Sequence, residues 1–332
     1  MSNITHILTA FQSEPLAMLP AKMMEVRAFL AARANGERTS EADIAAIEQH
    51  KRSREAALLA AVQAVDVSAA RRGDGVILAG RIAVQPIFGI LSQRVGTLER
   101  SSGGISTEEI GSVFDSLLDD KQVRAIVQVY DTPGGSVTGI KELGDKIRAG
   151  RDRKKVIGAA DPMAASAGLW LISQCSEVWV SESGQIGSHG VVTAHEDVSE
   201  MESKLGVRTT LIASSQYKVE ASPFGPLTEE AKTELTSKVL HYHGMFTKAL
   251  AQGRGLTEHR VEQDFGKGRM LTPQQAKSVG MIDRVGSLGD AVRKLGGEVN
   301  ATAEVIQPIV AESPKTMPRG AVLARARALE LR

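Results

Sequence analysis

AIVQVYDTPGGSV, residues 125–137, decides the fold class. Residues 125–130 are a short apolar run of β-branched and aromatic side chains, the pattern of a buried strand. Asp131-Thr132-Pro133-Gly134-Gly135-Ser136 interrupts it with a proline and two glycines, and from Val137 to about residue 149 the apolar spacing becomes helical. Strand, glycine-rich turn and helix make the first half of a βαβ unit. Downstream, 156–160 reads as the next strand, 166–173 as a helix and 178–180 as a further strand. Upstream, GVILAGRIAVQPIFGIL (75–91) is β-rich, as two strands or one bent pair. Ser106 and Glu109 form a capping box that opens a helix through Ile110, Val113, Leu117 and Leu118. Strands alternating with helices imply a parallel sheet, so the expected fold class is α/β.

The flanks read differently. Residues 1–72 are helical and Ala-rich: Pro20 opens one helix carrying Met23, Met24, Val26 and Leu30, Gly36 ends it, and Ser40 caps a second running to Val65. The middle of that second helix, EQHKRSRE (48–55), is polar all round, as expected of a solvated or partner-facing appendage. A core of 73–297 follows. Within it a helix is expected up to residue 205, a strand at 209–212 and a long helix over 228–251. In GRMLTPQQAKSVGMID (268–283), Thr272 is a helix N-cap, Pro273 the first helical residue and Gly280 the stop, with Met281 and Ile282 starting a strand. Residues 298–332 form a tail. Its last part, 311–332, has five Lys or Arg against two Glu, which suits a disordered or partner-ordered segment.

Composition narrows the function classes. The 332 residues are 42% hydrophobic, and 40 Lys plus Arg balance 39 Asp plus Glu to a net charge of +1. No global field steers such a chain onto nucleic acid or an anionic membrane, so neither is an expected partner. The start MSNITHILTAFQSEPLAMLP lacks a basic segment followed by an apolar run, and no run of about 18 apolar residues occurs. A soluble, cytoplasmic protein is expected. The single cysteine, Cys175, lies in an apolar stretch and reads as a small buried hydrophobe.

Four stretches can carry chemistry. Gly134-Gly135 at a strand-to-helix turn expose backbone N–H groups beside a helix N-terminus, a good receptor for an oxyanion. The same residues also make a tight turn that binds nothing. Ala164-Ala165-Ser166-Ala167-Gly168 places a hydroxyl among small residues at a second such turn, where Ser166 is either a nucleophile or simply an N-cap. Ser215-Gln216-Tyr217-Lys218 offers an amine that acts as a base only where enclosure favours its neutral form. Gly184-Gln185-Ile186-Gly187-Ser188-His189-Gly190-Val191 reads as a loop beside the site, from which Ser188 can hold the Lys218 amine. Of the histidines, His189 and His195 are near these motifs in sequence, and neither has a clear carboxylate orienter. Metal-ligand spacing, a P-loop and a GxGxxG turn are all missing from the sequence, so no metal and no cofactor is expected.

Taken in order, DTPGGSV, AASAGLWLIS, GQIGSHGVV, the YK…SPFGPLT segment and GRMLTPQQAKSVGMID resemble the signal peptide peptidase A family of Ser–Lys peptidases. The likeness covers roughly residues 76–295. It implies a Clp protease/crotonase-like fold, Ser166 as nucleophile, Lys218 as base, and oxyanion contacts from Gly134, Gly135 and the backbone at Ala167. Within the family the chain is most similar to phage and prophage head-maturation proteases. Protein substrates are then expected, scaffold or capsid proteins and the protease itself among them, with capsid, scaffold or portal proteins as partners and a homo-oligomeric assembly. The sequence departs from the family pattern in having Ala167-Gly168 where two glycines are common, and Ser188-His189 within the following loop. Two other classes share these features: a crotonase-like enzyme acting on acyl-CoA thioesters, for which Ser166 and Lys218 are dispensable, and a catalytically inactive assembly protein.

Overall fold

The computed structural model describes residues 15–34, 41–66, 68–95 and 103–305. In chain order the strands are β1 (Leu16–Met18), β2 (Ala70–Arg71), β3 (Ile77–Ala79), β4 (Ile82–Phe88), β5 (Ile90–Ser92), β6 (Gly104–Ser106), β7 (Ala125–Thr132), β8 (Gly134–Ser136), β9 (Lys155–Ala165), β10 (Glu177–Val180), β11 (Gln185–Gly187), β12 (Met270–Leu271) and β13 (Arg284–Val285). The helices are α1 (Pro20–Ala34), α2 (Glu41–Gln63), α3 (Thr107–Asp119), α4 (Ile140–Gly150), α5 (Ala167–Ile172), α6 (Ser199–Lys204), α7 (Glu229–Arg254), α8 (Glu258–Asp264), α9 (Pro273–Ser278) and α10 (Leu288–Val305).

The 125–132 run is the central strand. β7 pairs in parallel with β4 on one side and β9 on the other. A parallel strand covered on both faces needs apolar residues on both, which is why AIVQVY shows no polar alternation. Its side chains divide by parity. Ile126 and Tyr130 join a core packed by Phe114 and Leu117 of α3, Ile140 and Ile147 of α4 and Trp170 of α5. Val127 and Val129 join a second core with Leu58 and Val62 of α2 and Leu288, Val292 and Leu295 of α10. Helices therefore cover both faces of a sheet that is parallel at its centre and antiparallel at its margins, the α/β arrangement expected. Gln128 is the polar exception. Its amide donates to Gln85 Oε1, whose own amide donates to the Ile110 carbonyl, and its Oε1 accepts from Tyr130 Oη at 2.9 Å. Cys175 lies against the same oxygen and is 1% exposed; burial pushes its thiol up to about 12, so it is the inert small hydrophobe anticipated.

β9 is long enough to serve two partners. Its first half carries β10 and its last three residues carry β11. A smaller sheet runs β1-β8-β5-β6. It inserts at the end of β7, and so α4 starts at Ile140 rather than near 137: residues 134–136 are strand, and Gly139 turns the chain at φ 80°.

Other elements also differ from the sequence reading. Residues 209–212 form no ladder and are mostly exposed. Met281 and Ile282 are buried, but the strand comes later, at Arg284–Val285. α9 has the full capping box, Thr272 with Gln275, and Pro273 at its start. In α3, Ser106 accepts from the Glu109 amide as expected. α10 extends to Val305, past the point where the tail was expected to begin. Gly36, Ser40 and the basic stretch 311–332 lie outside the described residues. Residues expected to stand apart as an appendage reach the core twice, through Leu58 and Val62 and through β1, which pairs with β8.

Candidate active site

β9 ends at Ala165 and α5 starts at Ala167, leaving Ser166 at the corner with φ 52° and ψ −112°. A non-glycine residue at positive φ costs on the order of 1–3 kcal/mol and persists only where its surroundings hold it. Here the Ser166 amide donates to the Gly187 carbonyl at 2.8 Å, and its carbonyl accepts from the Trp170 amide at 3.0 Å. The side chain makes no capping bond to α5. Its Oγ donates instead to the Gly190 carbonyl at 3.4 Å, within a fully buried residue. Ser166 thus stands at the N-cap position of α5 without using its side chain as a cap.

Small residues around Ser166 are dictated by contact. A Cβ on Gly168 would lie 2.4 Å from Thr132 Cγ2, so α5 can pack onto the end of β7 only with glycine there. Gly134 sits at φ 96°, and a Cβ on it would lie 3.0 Å from Ser166 Cβ. The glycine strand and the serine corner are thus adjacent. The Gly134 amide is taken by Thr132 Oγ1 at 3.1 Å. Ala167 follows at the first position of α5, where an amide has no intrahelical acceptor. We expect Gly168→Ala to cost about 1–3 kcal/mol in urea unfolding, the range for overpacking, and Thr132→Ser, which deletes the clashing methyl, to recover part of it. Equal losses in the single and double variants would show that the contact is not the cause.

The 184–191 segment is less loose than a loop. β11 pairs with β9 and β12, Ser188 holds φ 58° with its amide donating to the Arg269 carbonyl, and Ser188 and His189 are buried. His189 Nε2 contacts Thr247 Oγ1 at 3.0 Å, and its ring stacks on His243, which pairs with Glu262 at 2.9 Å. These three residues offer ligand atoms within 4.8 Å of one another, a set that can take a cation. As they stand, their hydrogen bonds go to one another and to Thr247, so the group works as a polar knot beside Phe246. It draws on β11's exit, α7 and α8, with no local spacing to reveal it. His195 Nε2 engages the Gly225 carbonyl. Neither histidine is hydrogen-bonded to Ser166.

Burial, then the neighbouring His243, hold the His189 imidazole down at about 4 against an ordinary 6.5. Between those values the unfolded chain binds the proton more readily. Stability contributed by neutral His189 is therefore complete above about 6.5 and lost as pH falls towards 4, by about 3 kcal/mol at most. Urea midpoints measured from pH 7.5 to 4.5 should fall on acidification, and fall less in His189→Asn. Parallel curves would exclude His189 as the titrating group.

Lys218 lies in a 3-10 turn (Gln216–Val219) and is exposed. Among the described residues no hydrogen bond joins it to Ser166 or Ser188. The arm bearing it is unusually apolar for a surface: Ile212 is 97% exposed and Leu205 74%, with Val207, Leu211 and Tyr217 also open. Thus one chain brings Ser166, Gly134, Gly135, Ala167 and the 187–190 backbone together, and leaves Lys218 on an apolar arm facing solvent.

Residues 148–302 match the family described as Peptidase family S49. The chain is 27% identical over 299 residues to the head-tail preconnector protein GP5 of Enterobacteria phage P21, covering 90% of this chain and 58% of that protein. It is 28% identical over 301 residues to the capsid assembly protease C of Escherichia phage lambda, covering 91% of this chain and 67% of that protein. Protease 4 of Haemophilus influenzae is 25% identical over 205 residues, 61% of this chain and 32% of its own length. The chain spans little more than half of the P21 protein it matches. No helix among the described residues is long and apolar enough to cross a membrane.

Proposed function

Residues 148–302 are a domain of peptidase family S49, on a Clp protease/crotonase-like α/β sheet, and from that premise we propose that the chain is a serine endopeptidase with Ser166 as nucleophile and Lys218 as general base. The observation that carries the reading is the Ser166 corner: a buried hydroxyl held at positive φ, beside paired glycines, with no capping bond to occupy it. Helix formation does not require that geometry, and a strained strand-to-helix corner is one way a fold presents a nucleophilic serine.

In the reaction, the neutral Lys218 amine takes the Ser166 proton as Oγ bonds to the substrate carbonyl carbon. Backbone amides of Gly135 and Ala167 receive the negative charge on the oxygen. The C–N bond breaks as the lysine returns its proton to the leaving amine. Water, deprotonated by the same lysine, then releases the acyl group and restores Ser166. Ser188 is assigned the task of holding the amine. His189 and His195 are spent on other partners, which leaves lysine as the base.

The exposed apolar arm supports assembly. A lysine amine in water stays charged, and burial under a neighbouring copy would both cover Ile212 and Leu205 and favour the neutral amine. We therefore assign a closed homo-oligomer. The likeness to the phage P21 and lambda proteins supports a role on capsid-associated proteins, in the cytoplasm or a procapsid. Labelling by a fluorophosphonate tests the class directly: Ser166 should be modified in the assembled protein. A crotonase-like thioester enzyme would turn over acyl-CoA unchanged in Ser166→Ala, and that result would sink the proposal.

A further inference from the structure

β1 runs beside the Ser166 corner, on the edge of β8. It pairs antiparallel with β8, Leu16 opposite Ser136, Ala17 opposite Gly135 and Met18 opposite Gly134. On its other edge Leu16 and Val192 exchange both backbone hydrogen bonds, at 2.8 and 2.9 Å. The Leu19 amide donates to the Pro133 carbonyl, and the Val137 amide to the Pro15 carbonyl. Bonded pairs alternate in an antiparallel ladder, so with 19–133 and 15–137 bonded, the next bonded pair is Ala17–Gly135. The Gly135 amide, assigned above to the oxyanion, is then donated to the Ala17 carbonyl. A Cβ built on Gly134 would stand 3.1 Å from the Ala17 carbonyl carbon and 3.0 Å from Ser166 Cβ, which puts that carbonyl beside the serine.

Leu16, Ala17 and Met18 are 4%, 0% and 2% exposed, while none of residues 20–29 of the following helix is buried. Beyond β1 the strap is tied by an Arg27–Glu196 ion pair at the surface. Among the described residues the fully buried side chains of this segment are those three, and a segment anchored mainly by a short strand can open without unfolding the domain. Ala17, opposite Gly135, is fully buried within the core cluster that includes Leu91, so the groove encloses the small side chain at that position.

We propose that residues 15–19 are an intramolecular occupant of the substrate groove: they bind as an added strand, block Ser166 until withdrawn, and show that the groove takes extended peptides with a small residue between two apolar ones. The blocking part rests on Ser166 being the nucleophile; the strand-binding part does not.

The test uses the full chain. Ala17→Arg puts a long cation at a fully buried position and should expel β1; Ala17→Pro, which removes the amide bonded to Gly135, serves where the arginine variant misfolds, and Ala17→Ser should keep the strand seated. We expect fluorophosphonate labelling of Ser166 to rise at least tenfold in the expelled variants. Deuterium uptake at 134–137 should rise with it. Synthetic EPLAMLP should restore both to the level of the parent chain, and EPLRMLP should not. Unchanged uptake in both expelled variants, or uptake that EPLAMLP fails to suppress, overturns the proposal. Uptake that responds as expected while Ser166 never labels would leave the groove assignment standing and refute the serine-peptidase reading instead.

Discussion

Ser166→Ala and Lys218→Ala will each reduce peptide hydrolysis by about 10⁴-fold or more, and the double variant will be no slower than either. Residues that act as one unit lose the unit when any member is removed, so their effects do not add. Here the prediction has a structural edge. Ser166 is buried at a strained corner and Lys218 is exposed on an apolar arm, so the two have no shared folding role that would make both losses trivial. Alanine at 166 keeps Cβ and leaves the contact with Gly134 intact, and the variant should unfold at the urea concentration of the parent. His195→Ala is the control, since its imidazole is engaged with the Gly225 carbonyl. A chain that kept its rate without Lys218 but lost it without His195 would have an imidazole base.

The sequence was readable where one local rule sufficed. A run apolar but for Gln128, AIVQVY, meant a strand buried on both faces, and β7 divides its side chains by parity between two cores. Capping residues placed α3 and α9 within a residue. Glycines at 134 and 168, and serine at 166, were visible as small residues at turns, although sequence left Ser166 equally open as an N-cap. What the sequence did not show is φ 52°, which goes with the Gly187 and Trp170 bonds and not with the local sequence. The missed parts all depend on long-range pairing. Residues 209–212 have strand composition but pair with no strand and lie in an exposed arm. Leu16–Met18 is too short to register as a strand and is one only because β8 offers an edge. His189, His243 and Glu262 are separated by 54 and 19 positions and meet because α7 and α8 fold back on β11's exit.

Mixing Ser166→Ala protein with Lys218→Ala protein, each inactive, should restore hydrolysis once the two co-assemble. Within one chain the serine corner is closed by its own groove and the 187–190 backbone, while the lysine stands on an arm with Ile212 and Leu205 in solvent. Burying such side chains contributes about 1.5–3 kcal/mol each, which gives the arm a reason to seek a neighbour's surface. If each lysine serves the serine of the next copy, a ring of alternating variants contains intact pairs wherever a Ser166 site meets a Lys218 arm. In a random one-to-one mixture about a quarter of the sites are then whole, and activity should reach about that fraction of the parent and fall on dilution as the ring dissociates. Ile212→Asp in the Ser166→Ala chain, which carries the intact Lys218, should abolish the rescue by preventing that arm from docking. Co-assembly without any recovered activity would place the pair within one chain and require the arm to fold back over its own serine. A fully active monomer would go further, since it would show that Lys218 is made neutral without a neighbour to enclose it.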